Sequence, residues 1–324
     1  MAPRRIIGVD IGGTKLLAGA LDPQLGVQHR LRRSVLGLDQ PALLEALLGA
    51  VRDACRGAGG QVEAVGLGVP ALMDARSGRA MLAVNLPLAE APIADLVSER
   101  LGLPVFVDND ANLAALAEHR LGAARGFSEA VVLTIGTGIG GGLIIRDSLY
   151  RGATGAAAEL GHVVIDMDGP RCQGNCPNRG CVEALASGTA LAREAARIAA
   201  ERPDSGLARA AADGRPLTGA VVSELAHDGD GAAIEALALI GTRLGVAIAS
   251  FVNIFNPQVV VIGGGVIGAG EFLLGPARAE LARRALPPSA REVEIRPARF
   301  GVEAGMIGAG ILALEGLGAR ERAR

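Results

Sequence analysis

"IIGVDIGGTKLLAGAL", running from Ile6 to Leu21, and "VVLTIGTGIGGGLII", running from Val131 to Ile145, are written to one plan. Each is an apolar strand, a turn dense in glycine, and a second apolar strand. An apolar run that halts at glycine and resumes a few residues later predicts a hairpin. Two such hairpins, more than a hundred residues apart, predict an internal repeat. The expectation is two lobes built alike, whose turns face each other across a central cleft.

Outward from the first hairpin, residues 41–57 have helical periodicity, with Leu43, Leu44, Leu47, Leu48 and Val51 on one face. "AVGLGVPALMD" from Ala64 reads as a strand ending in a proline turn, "APIADLVSERLG" as a helix closing at Gly102, and "PVFVDND" as a strand ending on carboxylates. "ANLAALAEHRLGAA" is then a helix with Asp110 as its N-cap. Beyond the second hairpin comes a cysteine-bearing loop, then mostly helix to about Phe255. A strand and glycine turn follow in "PQVVVIGGGV", a short strand in "VEIRPA", and a small-residue helix in "GMIGAGILALEG". Strands alternating with helices make the class α/β. No Pro- or Ser-rich linker marks a boundary. It is placed near Asn112, giving lobes 1–112 and 113–324, with the last helix packing back on the first lobe.

The 324 residues are 50% hydrophobic, ample for a large core, and 32 basic against 34 acidic residues leave a net charge of −2. No basic run of five occurs, so nucleic acid is not an expected partner. "RLRR" from Arg30 reads as a solvated strand or turn. No run of 18 apolar residues predicts a membrane span, and the start lacks the apolar core of a signal peptide. The expected compartment is the cytoplasm, where clustered cysteines point to metal before disulfide.

Three glycine clusters each follow an apolar strand: Gly12-Gly13, Gly136 to Gly142, and Gly263 to Gly265. Glycines let a backbone approach an anion and present N–H groups to it. Thr14 and Thr137 add hydroxyls, and Lys15, the only lysine in the chain, adds a cation. Any one cluster also fits an ordinary tight turn. "GTGIGGG" leads into a strand, which argues against a dinucleotide fingerprint, and no Walker loop is present. Together the three suggest a nucleotide held by hairpin turns.

"VDND" brings Asp108, Asn109 and Asp110 to the end of a strand, where open α/β sheets bind ligands. An amide beside a carboxylate suits a polyhydroxyl ligand. Asp110 could take a proton from an attacking hydroxyl, or only cap its helix, a position that holds a carboxylate ionised and weakly basic. Asp108, on the opposite face, reads as structural. Asp10 could hold Mg²⁺ beside the phosphates or cap a turn. His162, Cys172, Cys176 and Cys181 give H-x9-C-x3-C-x4-C, a donor set for a closed tetrahedral Zn²⁺ site. Cys55 stands apart, as a small buried residue. Glu159 and Glu183 flank the cluster, so a metal there would fix two carboxylates and an imidazole in space.

At "GVDIGGTK", "GLGVPALMD", "NLPL", "VDNDANLAALAE", "LTIGTGIGGGLI", "GATGAAAELGH", "GNCPNRGCVEALASG" and "NPQVVVIGGGV" the chain resembles the ROK family of repressors, open reading frames and kinases, and within it the bacterial glucokinases. The resemblance runs in order from Ile7 to about Leu314. It implies an actin-like ATPase fold of two RNase H-like lobes, and transfer of phosphate from Mg-ATP to the 6-hydroxyl of D-glucose. "DIGGTK" (Asp10, Gly12, Gly13, Thr14, Lys15) would be the first phosphate turn and "TIGTGIGGG" (Thr137, Gly138) the second. Gly263, Gly264 and Gly265 would lie by the adenosine. Asp110 would be the base. Asn109, Glu159, His162 and Glu183 would meet sugar hydroxyls, with Asn85 and Gly68 lining the pocket, and His162 would serve zinc with one ring nitrogen and sugar with the other. The family is usually dimeric or tetrameric. It also holds kinases for mannose, fructose, N-acetylglucosamine and N-acetylmannosamine, users of polyphosphate as donor, and sugar-responsive repressors with an N-terminal winged helix. A first strand at Arg5 leaves no room for such a domain, which favours a kinase. Two departures stand out. The commoner cysteine spacing is C-x-C-x4-C, two residues shorter between the first pair, and Ala89 stands where relatives often have an aromatic. With no Trp and one Tyr, stacking on sugar or adenine is not expected.

Overall fold

The computed structural model describes residues 3–74, 79–83 and 92–322. In chain order the elements begin β1 (Arg4–Ile11), β2 (Lys15–Leu21), β3 (Val27–Ser34), α1 (Gln40–Gly57), β4 (Gln61–Val69), β5 (Ala71–Met73), β6 (Ala80–Ala83), α2 (Ile93–Leu101), β7 (Val105–Asn109) and α3 (Asp110–Leu121). They continue with β8 (Ala130–Ile135), β9 (Ile139–Ile145), β10 (Ser148–Leu149), α4 (Val182–Ala186), α5 (Gly188–Glu201), α6 (Gly206–Ala212), α7 (Gly219–His227) and α8 (Gly231–Phe255). Last come β11 (Val259–Gly263), α9 (Glu271–Arg284), α10 (Ser289–Glu292), β12 (Glu294–Pro297) and α11 (Ala304–Arg322).

The chain forms two compact units, the first of Met1–Leu121, Leu149–Ala158 and Val302–Arg324, the second of Gly122–Ser148 and Glu159–Gly301. Each holds a five-stranded sheet of the same plan, in the order β3-β2-β1-β4-β7 in one and β10-β9-β8-β11-β12 in the other. In both, an antiparallel hairpin (β1–β2, β8–β9) leads to two parallel neighbours (β4 and β7; β11 and β12). Strands buried on both sides need continuous apolar runs, and β1 and β11 have them, from Ile6 to Val9 and from Val259 to Ile262. The "RLRR" stretch lies in β3, whose residues alternate between partly buried and exposed.

The division falls after Leu121, beyond the Asn112 read from the sequence. The reason is packing. Residues 111–119 of α3 are all buried, and the helix lies against α11, where a Cβ at Gly308 would overlap the carbonyl of Leu113. Helix α11 in turn lies flat on β1 and β4: a Cβ at Gly66 would overlap the carbonyl of Ala309. Small residues on both sides bring helix backbone onto strand backbone, closer than any side chain would permit. Helix α1 covers the other face of that sheet with Leu43, Leu47, Leu48 and Val51. It starts at Asp39, whose carboxylate accepts the Ala42 N–H at 2.9 Å.

Helices α8 and α11 are long and apolar enough to cross a membrane by length and composition alone. About half of each apolar stretch is buried within the protein. Their apolarity serves cores: Leu237, Ile240, Leu244, Ile248 and Phe251 of α8 are fully buried.

Candidate active site

In the first unit, parallel register aligns Asp10 with Gly68, Gly68 with Asp108, and Val69 with Asn109. The chemistry-bearing residues thus share the carboxyl ends of β1, β4 and β7, the edge at which open α/β sheets bind ligands. The Gly12–Lys15 turn closes with Gly12 N–H donating to the Lys15 carbonyl at 2.8 Å. Gly68 and Gly305 border the Asp10 carboxylate. Burial first, and then the charge on Asp110, push the Asp10 carboxyl up to about 7, with Lys15 opposing. A carboxyl so crowded gains from a cation.

The helix cap is not where the sequence reading put it. Asn109 Oδ1 accepts the N–H groups of Ala111 at 2.9 Å and Asn112 at 3.1 Å, so Asn109 is the N-cap and Asp110 is the first helical residue. Asn109 Nδ2 donates to the Ala71 carbonyl at 3.3 Å, and the Asn109 side chain also hydrogen-bonds the Asp110 carboxylate. Asp110 Oδ1 accepts the Ala111 N–H at 2.9 Å. Desolvation nevertheless dominates and raises the Asp110 carboxyl above the ordinary range, against the hydrogen bonds that lower it. The weakly basic cap inferred from position becomes a carboxylate with a raised proton affinity. Asp108 is structural: it is 4% exposed, and it accepts from Arg151 Nε at 2.7 Å, Asn112 Nδ2 at 3.0 Å and Asn109 N–H at 2.8 Å. Nothing in the sequence pointed to Arg151 as its partner, 43 residues away. Asn85 and Ala89 lie outside the described residues.

In the second unit, the turn after β8 is held from behind. Gly136 N–H donates to the Gly138 carbonyl at 2.9 Å, and Gly188 N–H to the Gly136 carbonyl at 2.8 Å. Parallel pairing sets Gly263 of β11 beside Thr134 of β8, and Gly264, at φ 92°, passes against the Ile135 carbonyl. The Gly263–Gly265 turn and the Thr137–Gly138 turn are therefore neighbours at one sheet end.

Behind them lies the cysteine loop. The ligating atoms of His162, Cys172, Cys176 and Cys181 all lie within 4.8 Å of one another. Cys172 Sγ is 3.5 Å from His162 Nδ1, and Cys176 Sγ is 3.9 Å from Cys181 Sγ. Metal–sulfur bonds of about 2.3 Å in a tetrahedron put donors about 3.8 Å apart, so the set fits Zn²⁺. Burial, then the neighbouring thiols and Glu183, push the Cys172 thiol up, and burial does the same at Cys181. A divalent cation would offset that crowding. The ring of His162 has two faces: Nδ1 meets the thiols, and Nε2 is 3.9 Å from Glu159 Oε2. Glu183 Oε2 accepts the Ile139 N–H at 2.8 Å, and Oε1 lies 3.7 Å from Cys172 Sγ. Because a Cβ at Gly138 would overlap Glu183 Oε2, the glycine is what admits this carboxylate to the turn.

Known proteins resemble this chain over most of its length. The family model described as "ROK family" matches residues 6–316. A glucokinase of Streptomyces coelicolor is 35% identical over 95% of this chain and 97% of its own length. The crystal structure of a Streptomyces griseus ROK glucokinase with glucose and AMPPNP superposes with a TM-score of 0.86 at 35% identity, covering 96% of this chain and 99% of that one. A xylose repressor of Caldicellulosiruptor bescii is 30% identical over 86% of this chain and 70% of its own length.

Proposed function

Since the chain belongs to the ROK family and is a hexokinase-type phosphotransferase with an actin-like ATPase fold, we propose that it transfers the γ-phosphoryl group of Mg-ATP to the 6-hydroxyl of D-glucose, with Asp110 as the general base. The observation that carries this reading is the Asn109 cap. By satisfying the helix N-terminus itself, Asn109 leaves Asp110 a desolvated carboxylate of raised proton affinity, which matches a base better than an ordinary aspartate does. The hydroxyl proton passes to Asp110 as its oxygen closes on phosphorus.

In the first unit, Asp10, Gly12, Gly13, Thr14 and Lys15 would serve the phosphates, with Asp10 toward Mg²⁺. That ion, when bound, neutralises charge developing on the transferring group. Asn109 and Gly68 would serve the sugar. In the second unit, Thr137 and Gly138 would serve the phosphates and Gly263 to Gly265 the adenosine. Zn²⁺ held by His162 Nδ1, Cys172, Cys176 and Cys181 would keep His162 Nε2 and Glu159 oriented toward sugar hydroxyls, with Glu183 bracing the turn beside them. The cytoplasm is the expected compartment, and a dimer or tetramer is the expected assembly.

A second reading, a sugar-responsive regulator that does not turn over, draws support from the xylose repressor similarity. ADP release from Mg-ATP, measured against glucose, mannose, fructose, N-acetylglucosamine and N-acetylmannosamine, separates them. A clear preference for glucose is expected. Activity with an acetamido sugar alone would overturn the substrate. No ADP with any of the five, and none from polyphosphate-driven phosphorylation, would favour the regulator.

A further inference from the structure

We infer that Gln173 is a positioning residue for nucleotide phosphate, a latch that ties the metal loop to the second glycine turn and aims the turn's amides. The inference rests on the reading of the Thr137–Gly138 turn as a phosphate cradle. Gln173 lies inside the segment that makes the Cys172–Cys176 spacing longer than the commoner one. Its own carbonyl accepts the Cys176 N–H at 3.4 Å, across a turn with Gly174 at φ 56°. That turn fixes the backbone from which the side chain departs.

Gln173 Nε2 has two hydrogens, and both are placed. One goes to the Thr137 carbonyl at 3.3 Å and the other to Ser187 Oγ at 3.2 Å. Both partners accept here: a carbonyl can do nothing else, which fixes the amide's orientation. Ser187 is the N-cap of α5, accepting the Ala190 N–H at 3.2 Å. Thr189 Oγ1 donates to the same Thr137 carbonyl at 2.8 Å. The Thr137 carbonyl is thus drawn into the protein by two donors, and the Gly136 carbonyl by the Gly188 N–H.

A trans peptide points its carbonyl and its N–H in opposite directions. Anchoring the Gly136 and Thr137 carbonyls inward therefore turns the N–H groups of Thr137 and Gly138 outward. Two successive amides aimed one way form an anion-binding concavity. Thr137 is exposed, so a phosphate can reach it. The metal loop acts on this turn from two sides, through Gln173 at Thr137 and through Glu183 at Ile139. Zinc and phosphate are coupled through hydrogen bonds, and Gln173 is the link the lengthened loop adds.

The test compares the full-length protein with Gln173→Ala and with the isosteric Gln173→Glu, which keeps the loop's length and shape but sets an acceptor against the Thr137 carbonyl. Affinity for AMPPNP and for adenosine is measured by calorimetry, alongside KM for ATP, KM for glucose, and zinc per chain. A net hydrogen bond to a neutral acceptor corresponds to a change of about three- to tenfold. Gln173→Ala is expected to weaken AMPPNP binding and raise the KM for ATP by that factor, and Gln173→Glu by more. Adenosine affinity, the KM for glucose and one zinc per chain are expected to hold. Unchanged AMPPNP affinity in both variants, or an equal loss of adenosine affinity, would overturn the assignment. Amide hydrogen exchange across Gly136–Ile139 in the unaltered protein separates the two layers. Protection by AMPPNP that adenosine does not give supports the cradle. Its absence would overturn the cradle and the latch together, whereas its presence beside unaltered variants would overturn the latch alone.

Discussion

The two units finish the same sheet in different ways. At the carboxyl ends of β1, β4 and β7 the polar side chains are held by a helix cap at Asn109, a part-buried ion pair of Asp108 with Arg151, and close packing around Asp10. At the corresponding ends of β8 and β11 the turns are nearly bare backbone, and their shape is imposed from behind by α5 and by a loop without a hydrophobic core. In that loop Val164 and Met167 are exposed, at 41% and 85%, and the side chains of His162, Cys172, Cys176 and Cys181, a set able to hold a metal ion, converge where a core would be. The first region sets the proton affinity of a carboxylate, and desolvation does that. The second sets the direction of amides and an imidazole, and cross-links do that. One topology thus carries a tuned charge in one copy and an aimed set of donors in the other.

The largest break in that comparison is expected from Asp110→Asn. Removing a general base costs about 10²- to 10⁴-fold in turnover. Steady-state kinetics should show kcat falling by that factor with the melting temperature kept, and turnover near that of the unaltered protein would remove the base from the first region. Cys181→Ser strikes the second region alone. Metal analysis should show zinc lost, and the KM for glucose should rise about ten- to a hundredfold, the range seen when the surroundings of a metal ligand are disturbed. A variant that still carries one zinc per chain would break the assigned ligand set.

A third test concerns Asp10, whose carboxyl is raised in the folded protein to about 7. The folded state then binds the proton more tightly than the unfolded chain, so ionisation costs stability as the pH climbs from about 4 through 7. Asp10→Asn removes that cost. In metal-free buffer it should melt higher than the unaltered protein at pH 8, and the gain should shrink as the pH falls toward 4. An equal gain at both pH values would mean that charge is not the cause. The smallest effect is expected from Asn109→Ala, a lost helix cap of about 1 kcal/mol. Chemical denaturation should register it as a small fall in midpoint, with any larger loss of glucose affinity reporting a direct contact between the Asn109 side chain and the sugar.

Much of this was legible in the sequence because it is local. The hairpins "IIGVDIGGTKLLAGAL" and "VVLTIGTGIGGGLII" carry their own punctuation, and both form. His162, Cys172, Cys176 and Cys181 span a stretch short enough for spacing to be read directly, and they converge. What escaped was set at a distance or by a single register step. Asn109 and Asp110 are both good caps, and only the point at which β7 hands over to α3 decides between them. Arg151 meets Asp108 and Gln173 meets Thr137 across tens of residues, where no periodicity connects them. The boundary was misplaced for the same reason: the partner of α3 is α11, almost two hundred residues further along.

That last pairing has a consequence for synthesis. The ribosome delivers β1 to α3 early, then the second unit with residues 149–158 of the first between its two parts, and only then residues 302–322. Until they emerge, the faces of β1 and β4 around Gly8 and Gly66 have no helix to cover them, and α3 lacks its neighbour. The first unit begins first and is completed last. It must wait, with apolar surface open to other chains, while about 180 residues are translated, on the order of ten to forty seconds at ordinary elongation rates.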